Sequence, residues 1–125
     1  MNTINEDYCS FEVSKLLKEK GLREPNNIRY GYNKDGKLTE PIVCWEVVEP
    51  FYPRVTHQFA MKWLEIKKHI AIIPILSSIL DNEKFLWDVK IVIAETGEKY
   101  SQGWVYENRE QACEAAIKYT LENLI

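Results

Sequence analysis

The sequence predicts an α+β domain in which three helices cover mainly one face of an antiparallel sheet of four to five strands. Residues 85–95 alternate between apolar and polar side chains, the period of two that is typical of a half-buried strand. Residues 108–124 carry a broad apolar stripe at helical spacing, and the stripe follows Asn108, a residue type that caps helices well. We expect this helix to pack across the strand face that carries Trp87, Val89, Ile91 and Ile93.

The first half of the chain is predicted to begin with a helix, and strands follow it. Ser10 can cap a helix that Gly21 ends, because glycine readily adopts the left-handed conformation found after a helix. Residues 28–32 indicate a strand that is followed by a tight turn and a returning strand. Residues 42–48 are apolar and β-branched enough to form a further strand. Residues 50–53 contain two prolines, so we expect an aromatic loop there and no strand.

The second half is predicted to begin with a helix that Thr56 caps and that ends near Lys68. Its inward face is expected to include Ala60, Trp63, Leu64 and Phe59. Residues 70–76 indicate a short edge strand, because Pro74 lacks a backbone donor. A hairpin then joins the central strand to residues 99–101. The predicted order is α-β-β-α-β-β-β-α, and residues 1–125 are expected to form a single domain.

On the outer face of the last helix, acidic and basic residues recur every four positions. Glu114 and Lys118 have the spacing at which opposite charges pair on a helix. We therefore expect an exposed ion pair between them.

Charge and apolar patterning exclude several classes of protein. The formal net charge is −3, whereas binding to a phosphate backbone depends on clustered Lys and Arg. The N-terminal residues are polar and acidic, unlike a signal peptide, and the apolar run at residues 70–76 is too short to span a membrane. We expect a cytoplasmic protein that does not bind membranes and for which nucleic acid is a disfavoured partner.

The residue types that carry metal or thiol chemistry are widely spaced. The cysteines and histidines are Cys9, Cys44, Cys113, His57 and His69. They show neither the C-x-x-C nor the H-x3-H spacing of zinc sites, and no glycine-rich phosphate loop is present. A zinc site or a Cys/His nucleophile pair is the alternative to buried, reduced thiols and structural histidines. The sequence therefore predicts no catalytic residue, no metal and no cofactor.

Two surface features bear on function. The first is an aromatic cluster near two prolines, which resembles the anchors of protein interfaces and comprises Trp45, Phe51 and Tyr52. The second is a basic face on the first two helices, which comprises Lys15, Lys18, Lys62, Lys67 and Lys68. The competing interpretations are ordinary core or loop packing for the aromatic cluster and a solvated helix surface for the lysines.

Three segments, residues 10–21, 56–64 and 115–125, resemble parts of small uncharacterised proteins of Bacteroides-type bacteria and their phages. This resemblance implies a phage or mobile-element context and supplies no catalytic residue. Residues 101–103 and 108–112, with the two preceding strands, are similar to the β-β-α end of the HicB antitoxin family, whose small domain blocks a partner toxin. The chain departs from that pattern at residues 104–106.

We expect the chain to be a non-enzymatic protein-interaction or accessory domain, with an unknown protein or a second copy as its partner; a homodimer is one form of this contact. The alternative is a nucleic-acid-binding or antitoxin-like accessory protein that uses the basic face. An enzyme of unrecognised type is the third hypothesis, and a deep polar cleft with convergent titratable groups would favour it.

Overall fold

Three helices and two separate antiparallel sheets make up the fold, which is therefore α+β as predicted. The structure is a computed structural model that describes residues 7–23, 30–39, 51–80, 84–101 and 106–125. The helices are α1 (Phe11–Glu19), α2 (His57–Lys68) and α3 (Arg109–Asn123). The first sheet contains β1 (Gly31–Tyr32), β2 (Leu38–Thr39) and β3 (Tyr52–Pro53). The second sheet contains β4 (Ile70–Leu80), β5 (Lys84–Ile93) and β6 (Lys99–Ser101).

All three helices begin where the sequence predicts. The side chains of Ser10, Thr56 and Asn108 each accept a hydrogen bond from the backbone amide three residues further along, at 3.2, 3.1 and 2.8 Å. These bonds satisfy amides that have no partner inside the helix. Gly21 adopts a φ of +104° just after α1, and α2 ends at Lys68. The helix ends are thus set by local cap residues.

The second sheet has the strand order β4-β5-β6, so that β5 lies in its centre. Val89 and Ile91 are buried on its inner face, and α3 packs against that face. Trp87 and Ile93 are half-buried on the same face and contact the core. The α3 side of the core contributes Ala112, Ala116, Ile117 and Leu121. The predicted packing of the last helix on the central strand is therefore confirmed.

The prediction of one sheet of four to five strands is wrong, because β1, β2 and β3 form a sheet that is separate from β4, β5 and β6. The predicted order α-β-β-α-β-β-β-α also differs, since three described strands lie between α1 and α2. The predicted loop at residues 50–53 is also wrong, since Tyr52–Pro53 is a strand that pairs with β1. Arg54 N–H donates to Tyr30 O at 3.2 Å, and antiparallel pairs alternate, so the amide position of Pro53 points away from β1. A proline at this edge position removes no ladder hydrogen bond. The strand predicted at residues 42–48 lies outside the described residues.

Strand β4 is an edge strand among the described residues, as predicted, although it extends to Leu80. Ala94 N–H donates to His69 O at 3.0 Å, and the alternation of antiparallel pairs then directs the amide position of Pro74 to the free edge. Ile73 is 46% exposed on the outer face of this sheet, opposite the helices. Within the described ranges, no helix is both long and apolar enough to cross a membrane.

Candidate functional site

A cluster of three side chains forms where the beginnings of α1 and α2 meet the middle of α3. Cys9 lies two residues before α1, His57 is the first residue of α2, and Glu114 projects from α3. The Cys9 Sγ atom, a ring nitrogen of His57 and a carboxylate oxygen of Glu114 all lie within 4.8 Å of one another. Cys9 is 0% exposed and His57 is buried. The fold thus gathers three metal-ligating residue types at one buried point.

Hydrogen bonds to backbone groups fix the two chain segments that carry Cys9 and His57. Cys9 N–H donates to Val55 O at 2.8 Å, and the Tyr32 hydroxyl donates to Cys9 O at 2.8 Å. His57 N–H donates to Asp7 O at 2.9 Å. The segment before α1 is therefore fixed against the segment before α2, which restricts the positions of Cys9 and His57.

Glu114 connects the beginnings of two helices. One of its carboxylate oxygens hydrogen-bonds with His57 Nε2, and the other accepts a bond from Ser10 N–H at 3.0 Å. Burial on its own would raise the pKa of Glu114, but the hydrogen bonds from His57 and Ser10 outweigh it and hold the pKa below its usual value. A carboxylate is also favoured near the positive end of a helix dipole. Glu114 is thus an ionised carboxylate at neutral pH.

The predicted ion pair between Glu114 and Lys118 is not the one found. Lys118 Nζ lies 2.9 Å from Glu12 and 3.8 Å from Glu122. Glu114 is turned toward His57 and Ser10, because the N-terminal ends of α1 and α2 supply donors on that side of α3.

The Cys9 thiol is not set up as a nucleophile. Burial raises its pKa far above the ordinary value, and the nearby Glu114 carboxylate raises it further. Nucleophilic cysteines need the opposite, a lowered pKa and access to substrate. The thiol is therefore protonated at neutral pH in the protein alone. Cys9 and Cys113 are both free and buried, as predicted, whereas Cys44 lies outside the described residues.

A cleft of about 480 Å³ reaches the cluster from the surface. Its lining includes His57 and Thr56 at the start of α2 and Arg109, Glu110 and Cys113 of α3. Water and small ions can therefore approach His57 from this cleft, although Cys9 itself does not line it.

A second feature lies on the solvent side of α2. His57, Ala60 and Leu64 form the buried face of this helix. Phe59 is 39% exposed and Ile66 is 56% exposed on the opposite side, and they line a groove of about 310 Å³. We call this the α2 outer surface, and it comprises Phe59, Lys62, Trp63, Ile66 and Lys67.

The inward face predicted for α2 is wrong at one residue, Phe59. Phe59 points away from the core, whereas Ala60 and Leu64 are buried as predicted. Trp63 lies between the two faces, since it lines the groove and also packs against the core. A helix with apolar residues on its exposed side presents more hydrophobic area to solvent than folding requires.

The predicted aromatic cluster makes contacts within the chain. Phe51 and Tyr52 are both half-buried, and the ring of Tyr52 packs edge-on against Phe11 with 5.6 Å between centroids. Phe51 lies closely over Gly31. Trp45 lies outside the described residues. The role of this cluster as an interaction surface stays a prediction.

The lysines of the predicted basic face lie on two helices with different packing partners. Helix α1 packs against α3 and β3, whereas α2 packs against β4 and α3. Lys15, Lys62 and Lys67 are exposed. Lys18 Nζ donates to Phe51 O at 2.5 Å, and Lys68 Nζ lies 5.6 Å from the ring centroid of Trp63. A continuous basic face across both helices stays a prediction.

No family model matches the chain, and neither the curated proteins nor the solved structures gave a significant match. The buried cluster and the α2 outer surface are therefore the two features from which a function can be inferred.

Proposed function

We propose that the chain is a non-enzymatic protein-interaction domain whose α2 outer surface binds an acidic, amphipathic segment of a partner protein. The observation that carries this proposal is the position of Phe59 and Ile66, which are exposed on the side of α2 opposite its buried face. Exposed apolar stripes at helical spacing are a common means by which helices and grooves recognise one another.

The charges around the groove favour an acidic partner. Lys62 and Lys67 line the groove, and both are exposed. A partner with carboxylates on either side of its apolar residues would place opposite charges next to these lysines. Such a segment would bury Phe59 and Ile66 while the two lysines keep their charges paired.

The same charges disfavour a second copy as the occupant. In a two-fold symmetric pair of α2 helices, the same patch meets itself. Lys62 and Lys67 would then face the lysines of the other copy, and like charges that are brought together oppose association. A heterologous partner therefore fits this surface better than a homodimer does.

Two further expectations from the sequence, a phage or mobile-element context and a cytoplasmic location, are compatible with this role and stay predictions. A phage or mobile-element context, as the resembling proteins imply, is a setting in which small accessory domains act by contact with other proteins. The protonated thiol of Cys9 supports a non-enzymatic role, because it removes the nucleophile from the Cys/His hypothesis. A cytoplasmic location also stays a prediction.

Two designed peptides test the proposal. Both are amphipathic helices with the same apolar residues, but one carries Glu and the other Lys at the flanking positions. Nuclear magnetic resonance titration should show that the Glu peptide perturbs the amides of α2 and binds with micromolar affinity. The Lys peptide should not bind. Equal binding of both peptides, binding of neither, or perturbations that map away from α2 would contradict the proposal.

Substitutions in the chain identify which residues bind the peptide. Phe59→Ser should weaken binding of the Glu peptide by about tenfold or more, the effect expected of an interface anchor. Ile73→Ser removes a similarly exposed side chain from the outer face of the β4 sheet and should leave binding unchanged. The double variant Lys62→Glu, Lys67→Glu should reverse the preference toward the Lys peptide. A short DNA duplex that binds the same amides more tightly than the Glu peptide would instead support the nucleic-acid alternative.

A further inference from the structure

We propose that Cys9, His57 and Glu114 bind a divalent transition-metal ion of the zinc type, and that this metal joins the beginnings of α1 and α2 to α3. The inference is independent of the α2 outer surface. It begins from the mutual approach of the three ligand atoms, which all lie within 4.8 Å of one another.

The geometry requires only a small rearrangement: the Cys9 sulfur approaches the other two ligand atoms, whereas His57 Nε2 and the Glu114 oxygen that it contacts move apart. Zinc ligands lie about 2.0–2.3 Å from the metal, so two ligand atoms of a tetrahedral site are roughly 3.5 Å apart. The Cys9, His57 and Glu114 atoms therefore need to shift by about an ångström, which rotation of the side chains can supply. Their backbones come from three different elements, and the hydrogen bonds at Val55 O and Asp7 O already fix two of them.

The ligand types match zinc better than a hard cation. A thiolate, an imidazole and a carboxylate are all established zinc ligands, whereas Mg²⁺ and Ca²⁺ prefer oxygen donors only. A Cys9 thiolate and the Glu114 carboxylate together carry two negative charges, which neutralise the two positive charges of the ion. A neutral assembly of this kind suits a site whose cysteine is fully buried.

Metal binding also has a defined proton balance. The Cys9 thiol loses its proton to solvent as the sulfur–metal bond forms. His57 Nε2 also gives up the proton of its hydrogen bond to Glu114. In a neutral imidazole Nδ1 takes up a proton in its place, so that the net release is one proton for each ion bound. The Glu114 oxygen and the His57 nitrogen that now bond to each other turn to the metal. Of the three proposed ligands, His57 lines the cleft, so the ion can approach the site from the side of His57.

The first test replaces zinc with Co²⁺, which gives thiolate-to-metal charge transfer and visible bands that report tetrahedral coordination. The full chain is first treated with a chelator, and Co²⁺ or Zn²⁺ is then added in equimolar amount. We expect one ion per chain, a thiolate band with Co²⁺, and a rise in the unfolding midpoint with Zn²⁺ but not with Mg²⁺. Absence of the thiolate band in folded protein would overturn the proposal.

Matched cysteine variants locate the site. Cys9→Ala should weaken Zn²⁺ binding by more than the roughly 10–100-fold that even an outer-shell change costs. Cys113→Ala removes a second buried thiol of the described residues, one that lines the cleft, and should bind Zn²⁺ like the wild type. If Cys113→Ala lost the metal and Cys9→Ala kept it, the assignment would be wrong.

A measurement on the wild type keeps the test decisive if Cys9→Ala does not fold. Alkylation of Cys9 can be followed by mass spectrometry of a proteolytic digest, with and without Zn²⁺. Zn²⁺ should slow the alkylation of Cys9 much more than that of Cys113. Equal protection of both thiols would show only a general tightening of the fold and would contradict direct coordination.

Discussion

At the scale of single residues, Glu114 has neighbours that its own helix does not determine. Its spacing from Glu110, Lys118 and Glu122 indicates a solvated polar face, and the sequence predicts no more than an exposed ion pair there. The fold brings Ser10 and His57 to that face, from positions 104 and 57 residues away. A side chain that looks peripheral in the sequence thus connects three helices.

Glu114→Gln should destabilise the metal-free protein by about 1–3 kcal/mol at neutral pH. The amide keeps the shape of the side chain but loses the charge-assisted bonds to His57 and to Ser10 N–H. Urea denaturation in the presence of a chelator measures the change.

Glu122→Gln is the control for this prediction, because it removes a carboxylate from an exposed position of the same helix. Its contact with Lys118 is solvent-exposed and contributes little to stability, so a change within about 0.5 kcal/mol is expected. Equal effects of the two substitutions would mean that Glu114 has no special structural role.

At the scale of elements, α2 carries two apolar stripes, one buried and one exposed, and the sequence-based prediction recognised only the buried one. Phe59 and Ile66 are seven residues apart and therefore lie on one side of the helix, whereas Ala60 and Leu64 lie on another. Including Phe59 in the inward face with Ala60, Trp63 and Leu64 placed it on the wrong side. A test for two apolar stripes would have detected the exposed one from the sequence.

The pairing of β1 with β3 depends on a residue without a side chain. A Cβ atom at Gly31 would lie 2.5 Å from Tyr52 O and would collide with the ring of Phe51. Gly31→Ala should therefore destabilise the protein by about 1–3 kcal/mol, the usual cost of overpacking. Thermal unfolding measures the effect.

The comparison for Gly31→Ala is Gly97→Ala, at a position where a Cβ meets nothing within 4 Å. Gly97 has a φ of +72°, so its substitution reports backbone strain alone, of about 1 kcal/mol. A smaller loss for Gly31→Ala than for Gly97→Ala would show that β3 can move away from β1 without cost.

The position of Pro74 at the free edge of β4 predicts a change in association. Pro74→Val restores a backbone donor that points outward, and exposed edge donors promote pairing with another chain. Light scattering at high concentration should show a larger mean mass for Pro74→Val than for wild type. Ile73→Val on the same strand leaves the edge unchanged and should scatter like wild type; scattering by both variants alike would contradict the role of the proline.

At the scale of the whole molecule, the sequence predicted local features well and long-range ones poorly. The helix starts follow from Ser10, Thr56 and Asn108, because a cap acts within a few residues of its own position. The division into two sheets depends on which strands meet across the chain, and single-strand patterns do not encode that choice. The same limit hid the Cys9, His57 and Glu114 cluster, since spacing rules for zinc sites consider ligands that are close in sequence.

Ile91→Asp should unfold the protein, because it would bury an unpaired charge between β5 and α3. The expected cost is several kcal/mol, a large part of the stability of a small domain. Circular dichroism and a denaturant titration detect the loss. Ile73→Asp places the same charge on the outer face of the same sheet, where it should be tolerated; an unfolded Ile73→Asp protein would mean that this face is covered.

The packing of α1 against α3 has a consequence for the order of events during protein synthesis. Helix α1 leaves the ribosome before α2 and α3, yet Val13 and Leu17 on its buried face belong to a core that α3 completes. Contacts between segments so distant in sequence form slowly. These apolar side chains therefore remain uncovered until α3 has been translated, and among the three described helices α1 offers nascent-chain chaperones the longest time to bind.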